Sequence, residues 1–223
     1  MKKRKSIYVA AIVFGLVLLL SAPAMASFTP ISQPSDGNYI GSTINLMADL
    51  GLVADDTLYY ALGSSPGMVV TFDKQLALRT TPVFGSWQTW NSPPATESAT
   101  PRVLWTGLGS TTLTMTLSAP ATIFGFELEP YDYSLYSTTV TFYNGATPVG
   151  SITQDVNGDS GALLFAAKGV PVPFTSVVVN CSDINGFAIA QLRYNNAVPI
   201  PGALWLFGPG LVGLAAVKRR FKK

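Results

Sequence analysis

Histidine is absent from this 223-residue chain, and it has one cysteine, Cys181. Without histidine, the commonest general base for a serine nucleophile is missing. Gly63-Ser64-Ser65-Pro66-Gly67 and Gly158-Asp159-Ser160-Gly161 look like nucleophile motifs, yet neither serine has an imidazole to take its proton. A serine–lysine pair could draw only on Lys74 or Lys168 outside the basic ends, and Pro66 disfavours the strand-to-helix elbow. Both motifs read as turns, and no catalytic residues are assigned. Zinc likewise loses its commonest ligand, and one cysteine cannot replace it. That cysteine excludes an internal disulfide. In Phe174–Cys181 it shares a strand face with Val177 and Val179, which reads as a buried thiol. Intermolecular pairing or lipidation is the alternative, though no lipobox precedes it.

Positive charge is scarce through the middle of the chain. Nine of the 14 Lys and Arg residues lie in the two ends, leaving Lys74, Arg79, Arg102, Lys168 and Arg193 between residues 27 and 197. All 12 acidic residues fall in that stretch, so five cations against twelve anions give −7. The overall charge of +2 and the pI near 8.6 hide this. An acidic domain without a basic patch does not bind nucleic acid by counterion release.

A sustained helical period is also missing between residues 27 and 197; Leu46 to Val53 reads at most as one short helix. Thr111 to Leu117 alternates threonine with Leu113, Met115 and Leu117, the pattern of a half-buried strand. Ile123 to Glu129 alternates too, which predicts Phe124, Phe126 and Leu128 inward and Glu127 and Glu129 outward. Thr138–Tyr143, Val149–Gln154, Ala162–Ala167, Phe174–Cys181 and Phe187–Tyr194 read as further strands. Asn144-Gly145 and Asn157-Gly158 supply turn chemistry. The pattern predicts an all-β fold, a β-sandwich of jelly-roll type, over residues 27–197. Residues 82–101 read as a long loop carrying Trp87 and Trp90.

Three weak site signals follow. Asp155, Asn157 and Asp159 place oxygens at alternate positions, as calcium loops do, but the glycine is misplaced and Ala166 stands where a bidentate glutamate belongs; an Asn-Gly turn explains the segment equally. Glu127 and Glu129 would sit about 7 Å apart on one strand face, a spacing compatible with glycoside hydrolysis or with a solvated face. Trp87, Trp90 and Trp105, with Tyr131, Tyr133 and Tyr136, could stack on sugar rings or anchor core and loops.

The ends read as addresses. Lys2, Lys3, Arg4 and Lys5 precede an apolar run from Ile7 to Leu20, and Ala24-Met25-Ala26 offers a small-x-small signal-peptidase site with cleavage before Ser27. An uncleaved anchor is the alternative. At the other end come Val198-Pro199-Ile200-Pro201, an uncharged apolar run from Ala203 to Val217, and the basic cluster Lys218, Arg219, Arg220, Lys222 and Lys223. As a helix the apolar run would reach only about 22 Å, short of a hydrocarbon core of about 30 Å.

This tail, residues 198–223, resembles the PEP-CTERM sorting signal of exosortase substrates, with Ile200 where the commonest form has glutamate. The resemblance implies an exported bacterial protein that passes through an inner-membrane intermediate to the outer surface or extracellular matrix. Its partners would be signal peptidase, an exosortase-like enzyme, the membrane and extracellular polysaccharide. An ordinary C-terminal anchor is the alternative for the tail. Thr89–Pro94, Phe124–Pro130, Phe142–Gly145 and Phe187–Tyr194 resemble a recurring ectodomain of the same class, for which galactose-binding-like sandwiches are the nearest fold analogy. That class implies a non-catalytic surface or matrix protein; a carbohydrate-binding module and, more remotely, a glycoside hydrolase are the alternatives.

Overall fold

The structure, a computed structural model, describes residues 27–196. The cleavage residues Ala24 and Ala26, the motif Val198–Pro201, the apolar runs and the basic clusters lie outside the described residues. Among the described residues, no helix is long and apolar enough to cross a membrane.

Among the described residues, eleven strands pair antiparallel throughout. They are β1 (Ser27–Ile31), β2 (Ile44–Asn45), β3 (Leu58–Gly63), β4 (Val69–Thr80), β5 (Arg102–Trp105), β6 (Thr112–Pro130), β7 (Leu135–Asn144), β8 (Thr147–Asn157), β9 (Leu163–Val170), β10 (Phe174–Cys181) and β11 (Phe187–Asn196). One short helix, α1 (Tyr39–Ser42), lies between β1 and β2. Leu46 to Val53 forms a short 3-10 helix, Ala48–Leu52. The Asn-Gly turn at Gly145 joins β7 to β8 with the positive φ of 58° that glycine tolerates.

The two strands expected at Thr111–Leu117 and Ile123–Glu129 are one, β6. Its large side chains in the main core are Leu113, Met115 and Leu117 before Pro120, and Phe124, Phe126 and Leu128 after it. Odd numbers give way to even because the strand passes from one layer to the other. Residues 118–120 are exposed at the crossing, where the β10 register jumps from Thr116 to Ala121. The first half of β6 lies between β4 and β10, whose layer continues through β7 and β8; the second half lies between β11 and β9, with β1 beyond β9. The result is an all-β sandwich whose layers are continuous through β4 and β6.

The main core fills the space between these layers. Phe126 stacks on Phe165 at 6.3 Å, and Phe142 meets Phe174 at 4.9 Å. Cys181 is buried in this core, on the face of Val177 and Val179.

Both ends of the described domain leave from one edge. Ser27 faces Val170, and Asn196 faces Ala121, each just beyond the row Thr29–Lys168–Ile123–Asn195. Pro130 and Tyr131 lie at the opposite edge, about 30 Å further along β6 at roughly 3.3 Å per residue.

Candidate functional site

The outer face of the β6–β9–β11 layer is not solvated. Glu127 and Glu129 point to it as the alternation requires, but both are fully buried. This corrects the expectation that they sit in water. Their neighbours in register are Ala190 and Ala188 on β11, and Leu164 faces Glu127 on β9. Small side chains leave room for the loop of residues 82–101 to lie across the sheet. Gly125 serves the same end beside it: a Cβ there would lie 2.3 Å from Ala166 Cβ and 2.6 Å from the Tyr39 hydroxyl.

The loop is fastened through both carboxylates. Trp87 Nε1 donates to Glu129 Oε2 at 2.6 Å, with Thr89 Oγ1 at 3.3 Å from the same oxygen. Trp90 Nε1 donates to Glu127 Oε2 at 3.1 Å, and the Glu97 amide donates to Glu127 Oε1 at 2.5 Å. The Glu97 carboxylate then accepts from Arg193 Nε at 2.6 Å, tying the loop to β11. Trp87 and Trp90 are 4% and 3% exposed. They are loop anchors with little ring surface left for a ligand, a correction to their reading as sugar-stacking residues.

Burial pushes the Glu127 carboxyl up to about 8, against the pull of the Glu97 amide and the Trp90 indole. Burial raises Glu129 to about 7, against the Trp87 and Thr89 donors and the nearby amides of Gly161 and Ser160. Among the described residues, Glu129 Oε1 has no hydrogen-bond partner. Perturbed paired carboxylates are a familiar mark of active sites, but each of these has an oxygen engaged by an indole under a closed loop.

The accessible site lies just above Glu129, at the Pro130 edge. A cleft of about 130 Å³ is lined by residues 86–89 on one side and 131–133 on the other. Tyr131 and Tyr133 are 44% and 58% exposed. The Tyr131 ring stacks on half-buried Trp105 at 5.6 Å and 23°, and meets Trp87 edge-on at 5.7 Å. The Arg79 guanidinium lies 5.2 Å from the centre of the Trp105 ring and pairs with Asp56 at 2.7 Å. Trp105 is thus a prop for Tyr131. Asp132 lines the cleft, its Oδ2 accepting from Asn185 Nδ2 at 2.7 Å and the Tyr136 hydroxyl at 3.4 Å.

Asp155 lies in β8 opposite Ser137, and Asn157 Oδ1 accepts the Asp159 amide at 3.0 Å, as a local turn requires. Among the described residues, no group of three or more His, Cys, Asp or Glu side chains is arranged to hold a metal. Ser64–Gly67, just after β3 closes at Gly63, and Gly158–Gly161 fall in the connections between β3 and β4 and between β8 and β9, as the turn reading expects.

No family model matches the chain, and no curated protein matches it. Three solved structures resemble it loosely. The enzymatically active domain of bacteriophage CBA120 tailspike protein 4 is 17% identical over 58% of this chain, with a TM-score of 0.31; the match spans 19% of that protein. A family 29 carbohydrate-binding module from Piromyces equi is 9% identical over 77% of this chain and 91% of its own, also at 0.31. An F5/8 type C domain from Bacteroides fragilis is 14% identical over 79% of this chain and 95% of its own, at 0.27. Likenesses at this level carry no argument about ligand or reaction.

Proposed function

We propose that this chain is an exported, non-catalytic surface or matrix protein whose sandwich binds extracellular polysaccharide at the Tyr131–Tyr133 cleft. The observation that carries this is the exposed Tyr131 ring, held rigid by Trp105 and Trp87 beside Tyr133 and the polar Ser86, Gln88 and Asp132. A fixed aromatic face with hydrogen-bonding groups at its rim suits a pyranose ring, apolar on one side and hydroxylated at its edge. Small-molecule pockets commonly enclose about 300–1,000 Å³. A cleft of about 130 Å³ instead suits one part of a polymer lying across the surface.

The placement of the ends supports the same reading. A leader and a sorting tail would both meet the domain at the Ser27–Asn196 edge, leaving the cleft at the far edge, away from the membrane. We further assign the sandwich to the jelly-roll, galactose-binding-like class; antiparallel pairing between sequence-distant strands such as β4 with β6 and β6 with β11 supports this. The non-catalytic reading rests on the burial of Glu127 and Glu129, which a glycosidic oxygen could reach only if the loop of residues 82–101 lifted.

Glycan-array binding tests the ligand: signal should appear with the native chain and vanish in Tyr131→Ala and Tyr133→Ala while the melting temperature holds. No signal on any glycan defeats the reading. Mass spectrometry of the mature protein with cell fractionation tests the address. A chain beginning at Ser27 and lacking the basic cluster is expected; an inner-membrane chain ending at Lys223 would defeat sorting.

A further inference from the structure

The charges around the cleft narrow its ligand, given the polysaccharide reading above. Asp132 lines the cleft, and Asn185 and Tyr136 engage its Oδ2, leaving Oδ1 without a hydrogen bond among the described residues. Burial raises the affinity of the Tyr133 hydroxyl for its proton, and Asp159, Glu129 and Tyr131 raise it further. Desolvation, followed by Asp183 and Asp132, acts in the same way on Tyr136.

Among the described residues the arginines are committed to partners, including Arg79, which lies on the Trp105 ring that Tyr131 stacks against. Arg79, Arg102 and Arg193 are paired with Asp56, Asp55 and Glu97 at 2.6 to 2.8 Å. Lys74 donates to the Thr112 carbonyl at 2.6 Å, at the start of β6. Lys168 lines a different cavity at the chain-end edge, in the row of Thr29 and Ile123. The cleft thus joins exposed tyrosine faces to the Asp132 carboxylate with no cation among its lining residues.

We propose that the Tyr131–Tyr133 cleft selects a polysaccharide bearing free amino groups, a glucosamine-type polymer. An ammonium group can lie against a tyrosine face, where the ring quadrupole attracts it, and within reach of the Asp132 carboxylate. A neutral N-acetylated sugar keeps the stacking but loses the charge. A uronate polymer meets like charge and is repelled, which is how a site rejects the wrong partner.

The test uses the full-length chain in detergent at pH 5.5 with three hexasaccharides: β-1,4-linked glucosamine, its fully N-acetylated form, and a polyuronate. Calorimetry at low salt should give at least about tenfold tighter binding for the glucosamine hexamer than for the N-acetylated one. The advantage should shrink severalfold in 0.5 M salt, because exposed charges are screened. Asp132→Asn should remove most of the advantage, lowering the glucosamine affinity severalfold more than the N-acetylated one; Tyr133→Ala should weaken both alike. Because Asp132 also supports its loop, the melting temperature of Asp132→Asn is measured beside its affinities, and loss of the preference with the melting temperature held assigns it to charge. Equal affinity for the two amino-sugar hexamers, or preference for the polyuronate, overturns the charge selection and leaves polysaccharide binding standing. Failure of all three to bind, together with a blank glycan array, defeats the underlying reading as well.

Discussion

The Trp87 indole donates a 2.6 Å hydrogen bond to Glu129 Oε2, joining residues 42 positions apart across the outer face of the sandwich. Both partners are buried, so neither can be satisfied by water if the other is lost. Trp87→Phe is expected to cost about 1–3 kcal/mol, the penalty of stranding a buried polar group. Glu129→Leu in the same chain should recover part of that loss. Denaturant unfolding of the two single variants and the double variant measures the coupling; additive losses would show that the pair acts only through shape.

Stability should fall as pH rises through neutrality. Glu127 and Glu129 move from an ordinary value of 4.5 to about 8 and about 7 on folding. Between pH 4.5 and 8 the folded chain retains protons that the unfolded chain has released, so raising pH favours unfolding. The melting temperature at pH 8.5 should lie at least about 4 °C below that at pH 5, given about 2–4 °C per kcal/mol for a domain of this size. Glu127→Gln and Glu129→Gln should each flatten the slope, and an unchanged slope in both would contradict the assignment. On the acid side Asp55 acts in the opposite sense. Burial opposes its ionisation, but Ser86, Thr80 and Arg102 hold its carboxyl below the usual range, so its contribution is lost as pH falls through that range.

The ion pairs should differ sharply in worth. Arg193 and Glu97 have side chains 12% and 8% exposed, whereas Asp56, the partner of Arg79, is 70% exposed. Glu97→Gln leaves a guanidinium uncompensated in a nearly dry site and should cost about 3–5 kcal/mol. Asp56→Asn should cost about 0–1 kcal/mol. Chemical denaturation of both variants checks the ranking; equal costs would contradict it.

Gly125→Ala should destabilise the domain by about 1–3 kcal/mol through overpacking, because the new methyl group meets Ala166 and the Tyr39 hydroxyl. Ala166→Gly should restore part of the loss, measurable by thermal unfolding. A neutral Gly125→Ala would mean that α1 does not close down on the sheet.

Much of the sandwich was legible in period-two alternation. Phe174–Cys181 coincides with β10, and Phe187–Tyr194 falls two residues short of the end of β11. The join of two expected strands into β6 was less visible, since a run ending at Leu117 and another beginning at Ile123 look separate until β10 pairs with both. Three segments far apart in the chain, Thr89–Pro94, Phe124–Pro130 and Phe187–Tyr194, converge on the covered face through Trp90, Glu127 and Ala190. A signal of that cover was present in β11. Its outward positions Ala188 and Ala190 are small and apolar, as a face awaiting another layer requires.

The sequence by itself determined the all-β class, the acidic middle between basic ends, the turns and the buried cysteine, because periodicity, charge and turn chemistry are local properties. Only the tertiary structure decided that Glu127 and Glu129 are buried, that Trp87 and Trp90 are anchors, and that Tyr131 and Tyr133 remain on the surface. Alternation assigns a side chain to one face of a strand or the other. Whether that face meets water depends on where residues 82–101 come to rest, and their resting place is set by contacts about 30 to 100 positions away in the chain.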